Sequence, residues 1–147
     1  MTTPHVLHPR PRCRRRGATI IELSFVLFTL MVLGFGVVEA GHFYFIRQQV
    51  QGAAREGARA GIPSGASNSD VTAAVDAVLT SSGLTPANFT TTVKVNGAVA
   101  NASSATAGQR IEVGVEAQWG TVGLRPMSLI RSDAVVRGVA SMRREGN

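Results

Sequence analysis

The sequence predicts an α+β protein: a long N-terminal transmembrane helix followed by a small exported domain of one further helix and about three antiparallel strands. Three observations predict it. An almost uncharged apolar run lies near the N-terminus of the 147-residue chain, helical spacing continues beyond that run, and the C-terminal half alternates apolar and polar residues. The segments divide the chain into a basic cytoplasmic leader at 1–17, a transmembrane and extended helix at 18–61, and an exported domain at 62–147.

Composition narrows the function classes. Hydrophobic residues make up 44% and charged residues 16%, too apolar for disorder and too sparsely charged for an ordinary soluble domain. The formal charge of +6 suggests a nucleic-acid binder, but five of the fifteen basic residues, Arg10, Arg12, Arg14, Arg15 and Arg16, fall in the leader. The rest of the chain is nearly neutral, so no nucleic-acid partner is expected. Cys13 is the single cysteine, which excludes an intrachain disulfide and a thiolate cluster. Pro11 and Arg12 before it do not form the apolar triplet of a lipid-anchor site. His5 and His8 lie in the leader, leaving His42 alone in the body. With no paired ligands or nucleophile–base set, neither an enzyme, a metal, a cofactor nor a small-molecule substrate is expected.

From Ala18 to Val38 the sequence ATIIELSFVLFTLMVLGFGVV contains one charge, Glu22. A helix of that length spans roughly 30 Å, the thickness of a bilayer's hydrocarbon core. Thirteen of its residues are Ile, Leu, Val or Phe, each favouring insertion by about 0.3–0.6 kcal/mol, or roughly 4–8 kcal/mol together. A carboxylate at the bilayer centre costs at most about 3 kcal/mol and less near an end, so the segment inserts despite Glu22. Arg14, Arg15 and Arg16 directly precede it and hold the leader on the cytoplasmic side. A buried core helix is disfavoured because the remaining chain is too short to cover all its sides. A cleaved secretory signal would use Val38-Glu39-Ala40, but its apolar region is normally about 7–15 residues. Arg14-Arg15-Arg16 lacks the surroundings of a twin-arginine signal. An exported binding module with a plain signal anchor or a cleaved secretory signal remains the alternative.

The order Arg15-Arg16-Gly17-Ala18-Thr19-Ile20-Ile21-Glu22 separates these readings. It resembles the processing site of type IV pilins and pseudopilins. That resemblance implies cleavage by a prepilin peptidase between Gly17 and Ala18, and an assembly role for Glu22. The likeness continues through the Phe-Gly-Val-Val-Glu-Ala-Gly turn at 35–41 and the run Ala53-Ala54-Arg55-Glu56-Gly57-Ala58-Arg59-Ala60. The C-terminal Ala140-Ser141-Met142-Arg143-Arg144-Glu145 joins them. Together they resemble the TadE family of tight-adherence pilus pseudopilins, over most of 14–61 and more loosely over 109–145. The resemblance implies a pilin-like, single-pass protein of the bacterial inner membrane with its domain outside. It also implies other pilins, the pilus assembly machinery and the peptidase as partners.

Past the apolar run, Phe43, Ile46, Val50, Ala53, Ala54, Gly57 and Ala58 keep one helical stripe. Gly61 reads as a left-handed terminator, with Pro63 beyond it. From Ala18 to Gly61 the rod measures roughly 66 Å. Gly36/Ala40 and Gly57/Gly61 have the four-residue spacing of close helix contacts. Gly36/Ala40 reads equally as a packing surface for sibling helices or as ordinary membrane-helix glycine; Gly57/Gly61 reads as room for the chain's own domain. Under the pilin resemblance, cleavage exposes an ammonium on Ala18 that neutralises a neighbour's Glu22 in an apolar bundle. The simpler alternative is Glu22 solvated at the membrane surface or by its own helix N-terminus. Glu39 and His42 read as markers of where water begins, with pairing to each other or to a neighbour's Arg47 as the alternative.

The exported segment opens with a linker at 62–69. A helix follows from Ser69 or Asp70 to Ser82-Gly83, with Val71, Ala74, Val75, Val78 and Leu79 on one face. Strand alternation appears at 89–96, at 111–119 and near 133–142, with a loop at 96–108 and a short apolar stretch at 124–130. A domain this small needs the outer half of the long helix as a wall. Glu112 and Glu116 share a strand face but are too ordinary a pair to imply acid–base catalysis.

Overall fold

The computed structural model describes residues 15–144, with side chains from residue 17 onward. Residues 1–14, Cys13 and Arg14 among them, and residues 145–147, with Glu145, lie outside the described residues, as do the side chains of Arg15 and Arg16. The architecture is α+β: one long helix with a bare apolar N-terminal half, packed through its other half on a small antiparallel sheet.

Helix α1 runs unbroken from Arg15 to Ala60, about 69 Å at 1.5 Å per residue. The glycine-bearing stretch 35–41, read from sequence as a turn, is helical. Glycine costs a helix only about 1 kcal/mol, and the flanking apolar turns carry the helix through. Ser24 Oγ and Thr29 Oγ1 donate to the carbonyls of Ile20 and Phe25, 2.8 and 2.9 Å away. These bonds satisfy the two hydroxyls on the helix itself, as an apolar surrounding requires.

The outer part of α1 forms one wall of the core. Ile46, Val50, Ala53, Ala54 and Ala58 are fully buried, against α2 (Asn68–Ser81), β3 (Arg110–Gln118) and β4 (Val135–Arg143). Each buried Val or Ile contributes about 1.5–3 kcal/mol, while the alanines let the helix approach closely. A methyl on Gly57 would lie 2.6 Å from Val75 Cγ2 and 3.3 Å from Val113 Cγ1, so this glycine serves the chain's own core. Gly61 corrects its sequence reading: its φ is not among the positive values. It is small because Ile111 Cγ2 and Val71 Cγ2 lie 3.3 and 3.4 Å from where a Cβ would sit.

Helix α2 starts earlier than Ser69. Ser67 is the N-cap, and its backbone N–H and hydroxyl both donate to Asp70 Oδ2, at 2.8 and 2.7 Å. This capping box makes Asp70 the third helical residue. The backbone hydrogen bond first, then the hydroxyl, hold the Asp70 carboxyl below the ordinary carboxylate range. The helix ends at Ser81 with Ser82 as its C-cap; beyond it Gly83 has a φ of +75°, and Gly83 and Leu84 donate to the carbonyls of Thr80 and Leu79.

The sheet has four strands, not three, in the order β2-β1-β3-β4, all antiparallel. The additional strand β2 (Ala98–Val99) pairs with β1 (Thr90–Val95) inside the region read as loop. Asn96 and Gly97 turn the chain with φ of 49° and 87°, the paired positive values that an Asn-Gly hairpin supplies. Strand β3 buries Ile111, Val113, Val115 and Ala117. The next alternating residue, Trp119, instead opens the short helix α3 (Trp119–Val122) and is fully buried there. On the opposite sheet face Glu112 and Glu116 lie across from Lys94 and Arg137. Their charges are 3.8 and 3.9 Å apart, so they are paired, not isolated.

Two close contacts join sheet to helix. A Cβ on Gly138 would stand 2.6 Å from the Val50 carbonyl oxygen. Beside it Gln51 Nε2 donates to the Val139 carbonyl at 2.8 Å, and the Val139 N–H donates back to Gln51 Oε1 at 3.3 Å. The side chain thus occupies backbone groups of the edge strand. Near the other end, buried Arg144 donates from Nη1 to the carbonyls of Ala102 and Ala105, and from Nη2 to that of Pro63.

Gly138→Ala in the full chain, held in detergent, is expected to destabilise the domain by about 1–3 kcal/mol through overpacking. Gly52→Ala, where a Cβ meets nothing within 4 Å, should stabilise by about 0.5–1 kcal/mol; thermal unfolding followed at Trp119 checks both. Since Asp70 has a depressed folded-state pKa, its contribution is present above about pH 4 and fades as pH falls through and below that value. Asp70→Asn should flatten that acid limb, though modestly because the carboxylate is exposed. Stability against pH in the two chains measures it.

Candidate functional site

Side chains from Ala18 to Phe35 are all exposed on α1. Phe25 is 71% exposed, and Ile20, Leu23, Phe28 and Leu33 are similarly bare. Such a surface far exceeds the few hundred Å² of contiguous apolar patch found on soluble monomers. The helix is long and apolar enough to cross a membrane. Gly17 and Ala18 lie in its first turns, exposed, with nothing within 4 Å of a Cβ placed on Gly17. Glu22 is exposed too, and among the described residues it has no ion-pair or hydrogen-bond partner within the chain.

The structure separates the two members of the predicted packing pair. Ala40 is exposed, whereas Gly36 is half-buried, with Leu129 Cδ1 at 3.4 Å from the position of a Cβ. The chain's own loop covers one side of this glycine.

Glu39 is the residue that sequence reasoning missed. It is 0% exposed, so it neither marks the edge of water nor reaches a neighbour's Arg47. Its carboxylate accepts hydrogen bonds from the backbone N–H of Ile130 at 2.9 Å and of Met127 at 3.3 Å. His42 does not pair with it in any ion pair of the described residues; its ring packs 5.8 Å from Trp119 and 6.1 Å from Phe45. Phe43 meets the Trp119 ring edge-on at 5.2 Å. Gly123 lies directly against the Trp119 ring, and Gly120 N–H donates to the Ser132 carbonyl at 2.8 Å. The loop between α3 and β4 is therefore fastened at its root by Trp119 and at its middle by Glu39. An acid at the end of an apolar run and an apolar stretch at 124–130 were visible in sequence. Nothing local joined positions about ninety residues apart.

Residues 17–59 match the family model described as TadE-like protein. The match lies wholly within α1. The match starts at the glycine of the processing-site pattern and ends one residue before the C-terminus of α1. It thus takes in Glu22, Gly36, Glu39 and Ala40, along with the face that packs on the domain. The TadE-like family is one of Tad pilus-associated, pseudopilin-like proteins and is not an enzyme family. No curated protein and no solved structure gives a significant match to the chain.

Glu39→Ala removes the acceptor for two loop amides. Hydrogen bonds to a charged group are worth about 1.5–3 kcal/mol each, so amide exchange across 124–131 should accelerate by about 10–100-fold. Glu39→Gln should fall between, because one carbonyl oxygen replaces two. Hydrogen exchange with mass spectrometry, with α2 peptides as the unchanged reference, checks it.

Proposed function

We propose that the chain is a minor pilin or pseudopilin that works in assembling a tight-adherence, type IV-like pilus or secretion apparatus. It is anchored in the bacterial inner membrane by the apolar half of α1, with its N-terminus inside and its domain outside. The observation that carries this reading is the form of α1. A bare apolar half with one unpartnered carboxylate continues without a break into the wall of a folded domain, and the TadE-like match covers both halves.

In this role a prepilin peptidase cleaves between Gly17 and Ala18, where the exposed backbone leaves room for the enzyme. Arg14, Arg15 and Arg16 keep that bond on the cytoplasmic side. The new Ala18 ammonium then sits beside Glu22 of an offset sibling. Each charge relieves the other of an unpaired position in an apolar bundle. Siblings and other pilins pack along the exposed faces of the apolar half. Ala40 remains open to them, whereas Gly36 offers only the side that Leu129 leaves uncovered. The partners are the membrane, the peptidase, other pilins and the assembly machinery.

N-terminal sequencing of the mature protein is expected to begin at Ala18, and a chain starting at Met1 or Gly41 would refute the processing step. Glu22→Ala should leave the domain's thermal unfolding unchanged while co-purification with other pilins drops at least tenfold, the factor for losing about 1.4 kcal/mol. Intact co-assembly in that variant would overturn the charge pairing.

A further inference from the structure

The loop between α3 and β4 meets α1 inside the apolar run, not above it. Leu129 touches Gly36, two residues before Val38, where that run ends. Two residues of helix place the contact about 3 Å on the lipid side of the boundary. Whatever medium bathes Gly36 through Val38 therefore also reaches the outer side of Leu129.

Three further observations agree. Four large hydrophobic side chains outside α1 are exposed among the described residues: Leu124 and Leu129 belong to this loop, Val135 opens β4 directly after it, and Val99 lies elsewhere. Leu129 is 62% exposed and Leu124 53%. Ser128 adopts a φ of +55°, a conformation disfavoured for a residue with a Cβ, and the turn it makes brings Leu129 onto the helix. Finally, irregular backbone at membrane depth persists only where its polar groups are satisfied within the protein. Buried Glu39 does this for the Met127 and Ile130 amides. Arg131 is forked to Asp133 at 2.9 and 2.7 Å, while half-buried Arg125 makes no ion pair among the described residues and its Nε is buried without a hydrogen-bond partner.

We propose that residues 123–132 form a membrane foot, which beds Leu124 and Leu129 in the headgroup–acyl boundary of the leaflet facing the folded domain. The foot fixes the height and tilt of the domain over the bilayer. Its occupant is lipid because its apolar surface is continuous with the bare surface of α1. The inference rests on the reading of α1 as a membrane span.

The test uses the full chain with Cys13→Ser, reconstituted in phosphatidylcholine–phosphatidylglycerol vesicles. Nitroxide labels are placed singly at Leu129→Cys and Leu124→Cys, at Met31→Cys within the apolar run, and at Ser81→Cys in the exposed last turn of α2, level with Gln49 of α1. Collision with oxygen and with an aqueous nickel complex is then read by electron spin resonance. The Leu129 and Leu124 labels should lie about 5–10 Å into the headgroup–acyl boundary, with nickel accessibility several-fold below that at Ser81. A lipid-exposed Met31 label with aqueous Leu129 and Leu124 labels would overturn the foot and leave the span standing. An aqueous Met31 label would overturn the span and the foot with it. Spin–spin broadening at Leu129 that disappears on dilution with unlabelled chain would also overturn the foot, in favour of contact between copies.

Discussion

One helix carries two surfaces, a bare apolar half long enough to cross a bilayer and a half that walls a folded domain, and the rest of the molecule is arranged around that constraint. A helix is the form that satisfies every backbone group of an apolar segment without water. The helix does not stop at the end of the apolar run, because the following residues carry their own apolar stripe. The rod therefore enters the domain as a structural wall. A domain of this size has too little core of its own, and Ile46, Val50 and the buried alanines of α1 complete it. The same covalent rod thus couples the position of the domain to that of the apolar segment.

The junction between the two halves of the helix is where the polar chemistry is concentrated. Glu39 sits at this level with its carboxylate turned into the protein and bonded to two loop amides. The aromatic packing of His42 and Phe43 on Trp119 stiffens the same level from the other side. At the opposite pole Arg144 ties three carbonyls from two separate segments with one guanidinium. A planar, always-charged fork suits this task better than a lysine. Both charged residues act through backbone groups, so their partners are specified by chain path and not by side-chain identity.

Legibility followed the range of the interactions. Helix α2 and strands β1 and β3 were readable because burial on one face imprints a local period. Helix α1 ends at Ala60, and the lack of a side chain on Gly61 serves Ile111 and Val71, not a left-handed turn. The Asn96-Gly97 hairpin carries a local signal, the dipeptide itself, set within a small-residue loop that masks the short strand after it. Trp119 kept the strand alternation but opens α3: its backbone N–H still bonds to Ala134, in register with the ladder, while that of Gly120 bonds to Ser132, one residue out of register. The Glu39 tether had no local signal at all, since its partners are backbone amides 88 and 91 residues away.

The sequence alone determined that an N-terminal helix would be apolar enough for a bilayer, that it would continue outward, and that the processing-site pattern and Glu22 would lie at its start. These properties are written in consecutive residues, where hydropathy and period need no partner. Only the tertiary structure decided which side of Gly36 the chain keeps for itself and that Glu39 faces inward. It also decided that the 124–130 stretch lies at the level of the helix's apolar boundary. Those outcomes depend on where β3 and β4 carry the chain back across α1, and a folded path through space has no period for a linear sequence to display.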